Sequence, residues 1–317
     1  MSEGRVAVLG IFVADLNFLA SRMPAVGETL IGSGFAIGPG GKGSNQAVAA
    51  ARAGAEVSFI SRLARDPFGE LALTMWRTEG VVPRLIETTT PTGAAFIYIH
   101  ESRGDNAVLV VPGAAGELSA ADVDAAADVI RGARVFVTQL EQPVEAAHRG
   151  LAIARQAGTI TVFNPAPAGA FDDALYALSD YVVPNESEAQ ALTGIAVTDL
   201  DGARRAGDAL LDKGAGTALI TLGERGALFH SRDRSVHIPP FSAGAVVATV
   251  GAGDAFVGSF AAALARGTDP LDAARFGSAA AGISVTRPGA ATAMPRRDET
   301  EALLRSAGTS APRSRGG

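Results

Sequence analysis

VFVTQLEQPVEAAHRGLAIARQAGTITVF, residues 135–163, is the stretch from which the fold is read. Two short apolar runs, Val135 to Thr138 and Ile160 to Phe163, enclose a segment with helical patterning. β-branched and aromatic residues favour the extended chain, so the unit reads as strand, helix, strand. Runs of the same kind recur at Val6 to Ile11, Val57 to Ile60, Tyr181 to Val183 and Ala218 to Leu222. Repeated βαβ units around a largely parallel sheet predict an α/β fold.

Helix signals fall between the runs. Asp66 before Pro67 reads as an N-cap followed by N1, Gly80 closes that helix, and Ser119 with Asp122 resembles a capping box. Two stretches break the rhythm, one from about Asp15 to Gly38 and one from Thr92 to Val111. In the second, Ala94 to His100 and Ala107 to Val111 flank a turn at Arg103-Gly104-Asp105-Asn106, which predicts a hairpin. Strands not separated by helices suit a small sheet projecting from the main body and able to cover a site. The expected organisation is one domain over residues 1–306, a lid from about 12–38 and 92–111, and a disordered tail over 307–317.

Composition narrows the function. With 47% hydrophobic and 19% charged residues the chain can bury a sizeable core. A net charge of −6 with scattered basic residues gives no face for a phosphate backbone, so nucleic acid is not an expected partner. There are no cysteines, hence no disulfide, thiolate site or cysteine nucleophile, which suits a cytoplasmic protein. The N-terminus lacks the basic and long apolar regions of a signal peptide. Ala245 to Ala265 is long and nearly uncharged, but a central Asp254 is costly in lipid. The expectation is a buried strand, a glycine turn and a buried helix, and no membrane partner. Four histidines, at 100, 148, 230 and 237, lack metal-ligand spacing.

Two glycine segments can carry chemistry. Gly38-Pro39-Gly40-Gly41-Lys42-Gly43 fits G-x-G-x-x-G, but it does not follow the first strand, no acid stands about 20 residues on for a ribose, and Gly43 stands where a P-loop needs Ser or Thr. It is either a turn feeding a helix or bare backbone that a small polar ligand approaches, with Lys42 and Asn45 as donors. Thr249-Val250-Gly251-Ala252-Gly253-Asp254-Ala255-Phe256 leads into a helix whose free N–H groups form an anion site. A carboxylate there can take the proton of an attacking hydroxyl, or it can simply cap the helix.

Gly40-Gly41-Lys42-Gly43-Ser44-Asn45-Gln46-Ala47, Asn164-Pro165-Ala166-Pro167, Pro184-Asn185-Glu186-Ser187-Glu188, Thr221 to Gly226 and Gly251-Ala252-Gly253-Asp254 follow one another over residues 5 to 306. In this order and spacing they resemble the ribokinase (PfkB) family of carbohydrate kinases, and among its subfamilies the chain looks most like ribokinase. The resemblance implies a three-layer α/β/α ribokinase-like fold with a small β-sheet lid, often clasped to a second lid in a homodimer. It implies ATP and Mg²⁺ as cofactors and a small sugar as substrate. Asp254 matches the family's catalytic base and Gly251, Ala252 and Gly253 its anion hole. Asp15, Gly41, Lys42, Asn45 and Glu141 fall on sugar-contacting positions. Asn185, Thr221, Gly223, Gly226 and Ser278 fall on nucleotide positions, and Glu188 would reach magnesium through water. Asn185 with Glu188 also reads as a capping box, and Thr221 to Gly226 as a hairpin turn.

Two positions depart from that pattern. Val13 stands where ribokinases carry a sugar-binding asparagine, and Ala248 where they carry a potassium-binding aspartate, which puts dependence on a monovalent cation in doubt. The function expected is an ATP-dependent sugar kinase acting on a hydroxymethyl group, with D-ribose going to ribose 5-phosphate. The alternatives are a nucleoside kinase or another sugar kinase of the family, with deoxyribose, fructose or adenosine as substrate, and a catalytically silent ligand-binding protein.

Overall fold

The computed structural model describes residues 4–103 and 105–309. In chain order, β1 (Arg5–Leu9) leads to the strands β2 (Val13–Ala20) and β3 (Gly34–Gly40), then α1 (Lys42–Arg52), β4 (Glu56–Ala64), α2 (Pro67–Glu79) and β5 (Val81–Thr88). The hairpin β6 (Thr92–His100) and β7 (Asn106–Gly113) follows, then α3 (Ala120–Ala125), α4 (Ala127–Gly132), β8 (Val135–Thr138), α5 (Val144–Ala157) and β9 (Ile160–Phe163). The chain continues through α6 (Ala174–Ala177), β10 (Tyr181–Val182), α7 (Glu186–Thr193), α8 (Leu200–Asp212), β11 (Thr217–Thr221), β12 (Ala227–His230) and β13 (Ser235–Ile238). It closes with α9 (Ala252–Ala265), α10 (Pro270–Ser284) and α11 (Arg297–Thr309).

The main sheet has the order β13-β12-β11-β10-β9-β8-β1-β4-β5. Its strands from β11 to β5 are parallel, and β12 and β13 add an antiparallel edge. Strand alternation divides the core into two layers. Val6, Val8, Val135 and Val137 pack with Ala47 and Ala50 of α1, Trp76 of α2 and Phe256 and Phe260 of α9. Ala7, Leu9 and Phe136 pack on the other side with Ile130, Leu151 and Leu210 from α4, α5 and α8. Neither face can be left in water at the usual ~25 cal/mol per Å² of apolar surface, and the result is a helix–sheet–helix sandwich.

A second sheet, β3-β2-β6-β7, stands apart from the first, with β2 and β6 parallel and the other pairs antiparallel. Of the hairpin turn expected at 103–106, Gly104 lies outside the described residues. On this sheet Phe18 packs at a tilt against Phe35 and Phe96, with centroids 4.9 and 5.4 Å away, while all three residues remain more than a third exposed.

Local signals act as their chemistry dictates. Asp66 accepts from Gly69 N–H with Pro67 at N1, and Gly80 ends α2 with φ 74°. Ser119 and Asp122 form a capping box. The strand expected in the apolar run before Gly251 is absent. Pro239 and Pro240 follow β13, neither can donate to a ladder, and residues 245–250 form a loop with Val246, Val247 and Val250 more than half exposed. That loop is tied down where Val247 and Ala248 both donate to the Val285 carbonyl. No helix among the described residues is long and apolar enough to cross a membrane. α11 extends to Thr309 and so takes in the first residues of the tail expected from 307, while 310–317 lie outside the described residues.

Candidate active site

The segments that follow β1, β8, β9, β10 and β11 meet at the carboxyl ends of the parallel strands, where Gly10 abuts Gln139, Asn164 reaches the Val183 carbonyl and Asn185 bridges Thr221, the place where open α/β sheets hold ligands. The crossing is tight. Gly10, after β1, and Gly43, in the first turn of α1, approach so closely that a Cβ on Gly10 would lie 2.8 Å from the Gly43 Cα. Gly41 has φ 89°, and a Cβ there would meet the Ile11 carbonyl at 2.5 Å. Only glycine backbone lets α1 begin here. Ser44 then accepts from the Trp76 indole N–H at 3.0 Å, which fixes that first turn to α2.

Asp254 is the third residue of α9 and is buried. Its Oδ2 accepts from Asn45 Nδ2 and its Oδ1 from Gln46 Nε2, both at 3.0 Å. Burial pushes its carboxyl above the usual carboxylate range, against the pull of Lys42 and the two amides. The helix starts at Gly251 with φ 79°, where a Cβ would press on Ala290, and the space beside Gly253 is open. The first bond along α9 runs from Ala255 N–H to Gly251 C=O, so the N–H groups of Gly253 and Asp254 belong to the unsatisfied start of a helix.

Lys42 lies among acids. Burial opposes its charge, yet Asp254, Glu141 and Glu188 outweigh that and hold the ammonium above its ordinary value. Glu141 accepts from the Lys42 backbone N–H at 2.7 Å. Burial pushes its carboxyl up to about 7, with Lys42 opposing and Asp254 and Asp15 adding. Asp15 projects from β2 over Gly40 of β3, and burial followed by repulsion from Asp254 raises it to about 6. Val13, two residues earlier on the same strand, is buried with Ile11, Ala95 and Ala115.

A second group lies beside the first. Asn185 caps α7 in a capping box with Glu188, and Asn185 also bridges Thr221 at the end of β11. Gly223 has φ 54° and Gly226 φ 90°, and a side chain on Gly226 would strike the Ile238 carbonyl, so the β11–β12 turn demands glycine there. Glu188 joins the groups electrostatically. Its carboxyl is raised by burial and by Asp254, against the Asn185 N–H and Lys42. Ser278 is buried on α10, the helix packed along α9, and no hydrogen bond among the described residues ties it to the others.

The arrangement can present a carboxylate base, an ammonium and free helix N–H groups to one substrate atom. Sequence reading did not single out Gln46, Gln139 or Asn164 as site residues, although Gln46 and Asn164 lie inside quoted motifs. Their polarity at fully or nearly fully buried positions is the one signal that could have marked them.

A family model described as pfkB family carbohydrate kinase matches residues 3–297. The ribokinase of Haemophilus influenzae is 39% identical over 301 residues, covering 94% of this chain and 98% of its own. A deoxyribokinase of Salmonella typhi is 36% identical over 302 residues, with the same coverage of 94% and 98%. The structure of Arabidopsis thaliana ribokinase complexed with ribose and ATP superimposes with a TM-score of 0.87 at 28% identity, over 96% of this chain and 99% of that one.

Proposed function

This chain belongs to the pfkB family of carbohydrate kinases and is an ATP-dependent sugar kinase, and on that premise we propose that Asp254 activates the hydroxymethyl oxygen of D-ribose to yield ribose 5-phosphate. The carrying observation is that Asp254 is buried at the start of α9 with both carboxylate oxygens held by amides and with helix N–H groups beside it. Asp254 takes the hydroxyl proton, the oxygen attacks the γ-phosphorus in line, and the bond to ADP breaks. The anion hole at Gly251, Ala252 and Gly253 faces the charge that builds on the transferred phosphoryl group, with Lys42 at hand. Asp15, Asn45, Glu141 and the backbone at Gly41 hold the sugar, since carboxylates and amides suit hydroxyl groups.

Asn185, Thr221, Gly223, Gly226 and Ser278 are assigned to the nucleotide. Glu188 fits a role beside magnesium: the Asn185 N–H takes its Oε2, and its Oε1 would be available to accept from a water of the hydrated ion. Magnesium, when bound with ATP, neutralises phosphate charge. A kinase drawing on ATP works where ATP is made, and we place the protein in the cytoplasm. The exposed Phe18, Phe35 and Phe96 face on the lid supports a homodimer formed through the lid, as a contiguous apolar patch marks an interface.

Val13 favours a second reading, 2-deoxyribose, since a valine beside the Asp15 position offers no partner to an additional hydroxyl. Initial rates of ADP release with ribose, deoxyribose, fructose and adenosine test both. Ribose is expected to give the highest kcat/KM. A larger value for deoxyribose supports the second reading, and activity on adenosine alone overturns both.

A further inference from the structure

Behind Asp254 lies a chain of buried amides that the reaction as proposed does not use. Gln46 Nε2 is 3.0 Å from Asp254 Oδ1 and 3.0 Å from Asn164 Oδ1. Gln46 Oε1 accepts from Gln139 Nε2 at 2.6 Å, and Asn164 Nδ2 donates to the Val183 carbonyl at 2.7 Å. Gln46 and Gln139 are wholly buried and Asn164 nearly so. The chain links α1, the ends of β8 and β9 and the start of α9.

Its direction follows from chemistry. An ionised carboxylate and a backbone carbonyl only accept hydrogen bonds. Asn164 must therefore turn its NH₂ to Val183 and its oxygen to Gln46. Gln46 must supply N–H to both Asp254 and Asn164, which leaves its oxygen for Gln139. Gln139 must then donate, and its own Oε1 is left without an N–H or O–H partner. That oxygen is wedged between two glycines, where a Cβ on Gly10 would lie 2.5 Å from it and one on Gly43 2.9 Å. An unpartnered buried amide oxygen is costly, and a residue selected for packing alone would be apolar.

Resting on the assignment of Asp254 as base, we infer that Gln46 and Gln139 are positioning residues: the relay Gln139 to Gln46 to Asp254 fixes the plane of the carboxylate and favours its ionised form against burial. Asn45 holds the second oxygen, so removal of Gln46 frees one side only. The charged groups facing Asp254 are Lys42 at the start of α1, Asp15 on β2, Glu141 beyond β8 and Glu188 on α7. All remain in the variants below, so a shift in the acid limb reports the relay.

The test uses the full chain with Gln46→Met, Gln139→Met, Gln139→Glu and Asp254→Asn, with kcat and both KM values followed from about pH 5.5 to 9. Gln46→Met is expected to lower kcat about tenfold to a hundredfold, the worth of a hydrogen bond to a charged group, with KM for ATP little changed. Its acid limb should move up by about one pH unit, because a donor to the ionised form is lost. Gln139→Met should act in the same direction, less strongly.

Gln139→Glu separates positioning from packing. When neutral, its hydroxyl can still donate to Gln46. Once ionised it only accepts, draws the Gln46 NH₂ toward itself and turns an oxygen on Asp254. The ratio of kcat for Gln139→Glu to that for Gln139→Met should fall as pH rises. A flat ratio overturns the inference on its own, as does an unmoved acid limb in Gln46→Met, so the near-isosteric glutamate variant decides the matter even if the methionine at 46 does not fold. If Asp254→Asn keeps more than half of the activity, the base assignment itself fails and the inference falls with it. Loss in Asp254→Asn beside full activity in Gln46→Met rejects the relay alone.

Discussion

The Asp15 carboxylate fills the space above Gly40 in which any other residue would carry its Cβ. The two sit on adjacent strands of the lid, with Asp15 opposite Gly38 and Gly40 opposite Val13. Gly40 has no positive φ, so the requirement for glycine comes from the neighbouring acid rather than from strain.

Gly40→Ala should therefore fold normally and bind sugar poorly. Asp15 is the movable end of that clash and would swing away from the new methyl group. Loss of one charged hydrogen bond corresponds to a rise in sugar KM of about tenfold to a hundredfold, with KM for ATP unchanged. An unaltered sugar KM would show that Asp15 does not touch the substrate.

Asp254→Asn removes the proposed base and keeps the shape. kcat should fall by roughly 10²- to 10⁴-fold while nucleotide affinity, read by calorimetry, stays close to wild type. A variant retaining most of its turnover contradicts the assignment.

Glu141 and Asp15 make the ligand-free fold sensitive to pH in an unusual direction. Their folded values, about 7 and about 6, stand above the ordinary 4.5 and 3.8. Between those limits the folded chain binds more protons than the unfolded one, so their contribution is full at low pH and is lost as pH rises through the folded values. Glu141→Gln should raise Tm relative to wild type by a few degrees at about pH 8 and by much less at about pH 5. A variant that is less stable at the higher pH would mean that the ionised Glu141 stabilises the fold through the Lys42 N–H.

Val13→Asn places an amide beside Asp15. It should improve kcat/KM for ribose about tenfold, the worth of one neutral hydrogen bond, and do less for deoxyribose. Wild type already showing a micromolar KM for ribose, with the variant worse, would show that another group makes that contact.

Ala248 leaves the loop before α9 without a carboxylate. At about 3 Å and an effective dielectric of 20 the missing charge would have offered a cation roughly 5 kcal/mol of gross attraction, an upper bound because holding the ion also costs desolvation of the carboxylate. Rates should depend little on potassium when it replaces a bulky organic cation at fixed ionic strength, and Ala248→Asp should introduce dependence. A steep saturating rise in wild type at low millimolar potassium overturns this.

Where strand, cap and glycine patterns were strong, sequence and structure agree: Val135–Thr138 and Ile160–Phe163 have the bounds expected, and the capping boxes at Ser119 and Asn185 form. β5 escaped notice because Pro83 interrupts it, and a proline is tolerated there since the strand is an edge. The run Ala245 to Val250 misled because composition does not tell a buried apolar segment from an exposed one. Gln46 and Gln139 stayed hidden for a different reason. Their hydrogen bond joins residues 93 positions apart, and an uncharged amide leaves no periodic trace.

Trp76 is the only tryptophan of the chain, and its ring is sealed between Phe12 and Phe59 with its N–H on Ser44. Ser44 follows Lys42 by two residues and precedes Asn45. The protein thus carries one built-in tryptophan reporter, wired to the turn proposed to meet the sugar. Its emission should be blue-shifted at rest, and any movement of that turn on titration with sugar should change its wavelength or intensity without an added dye.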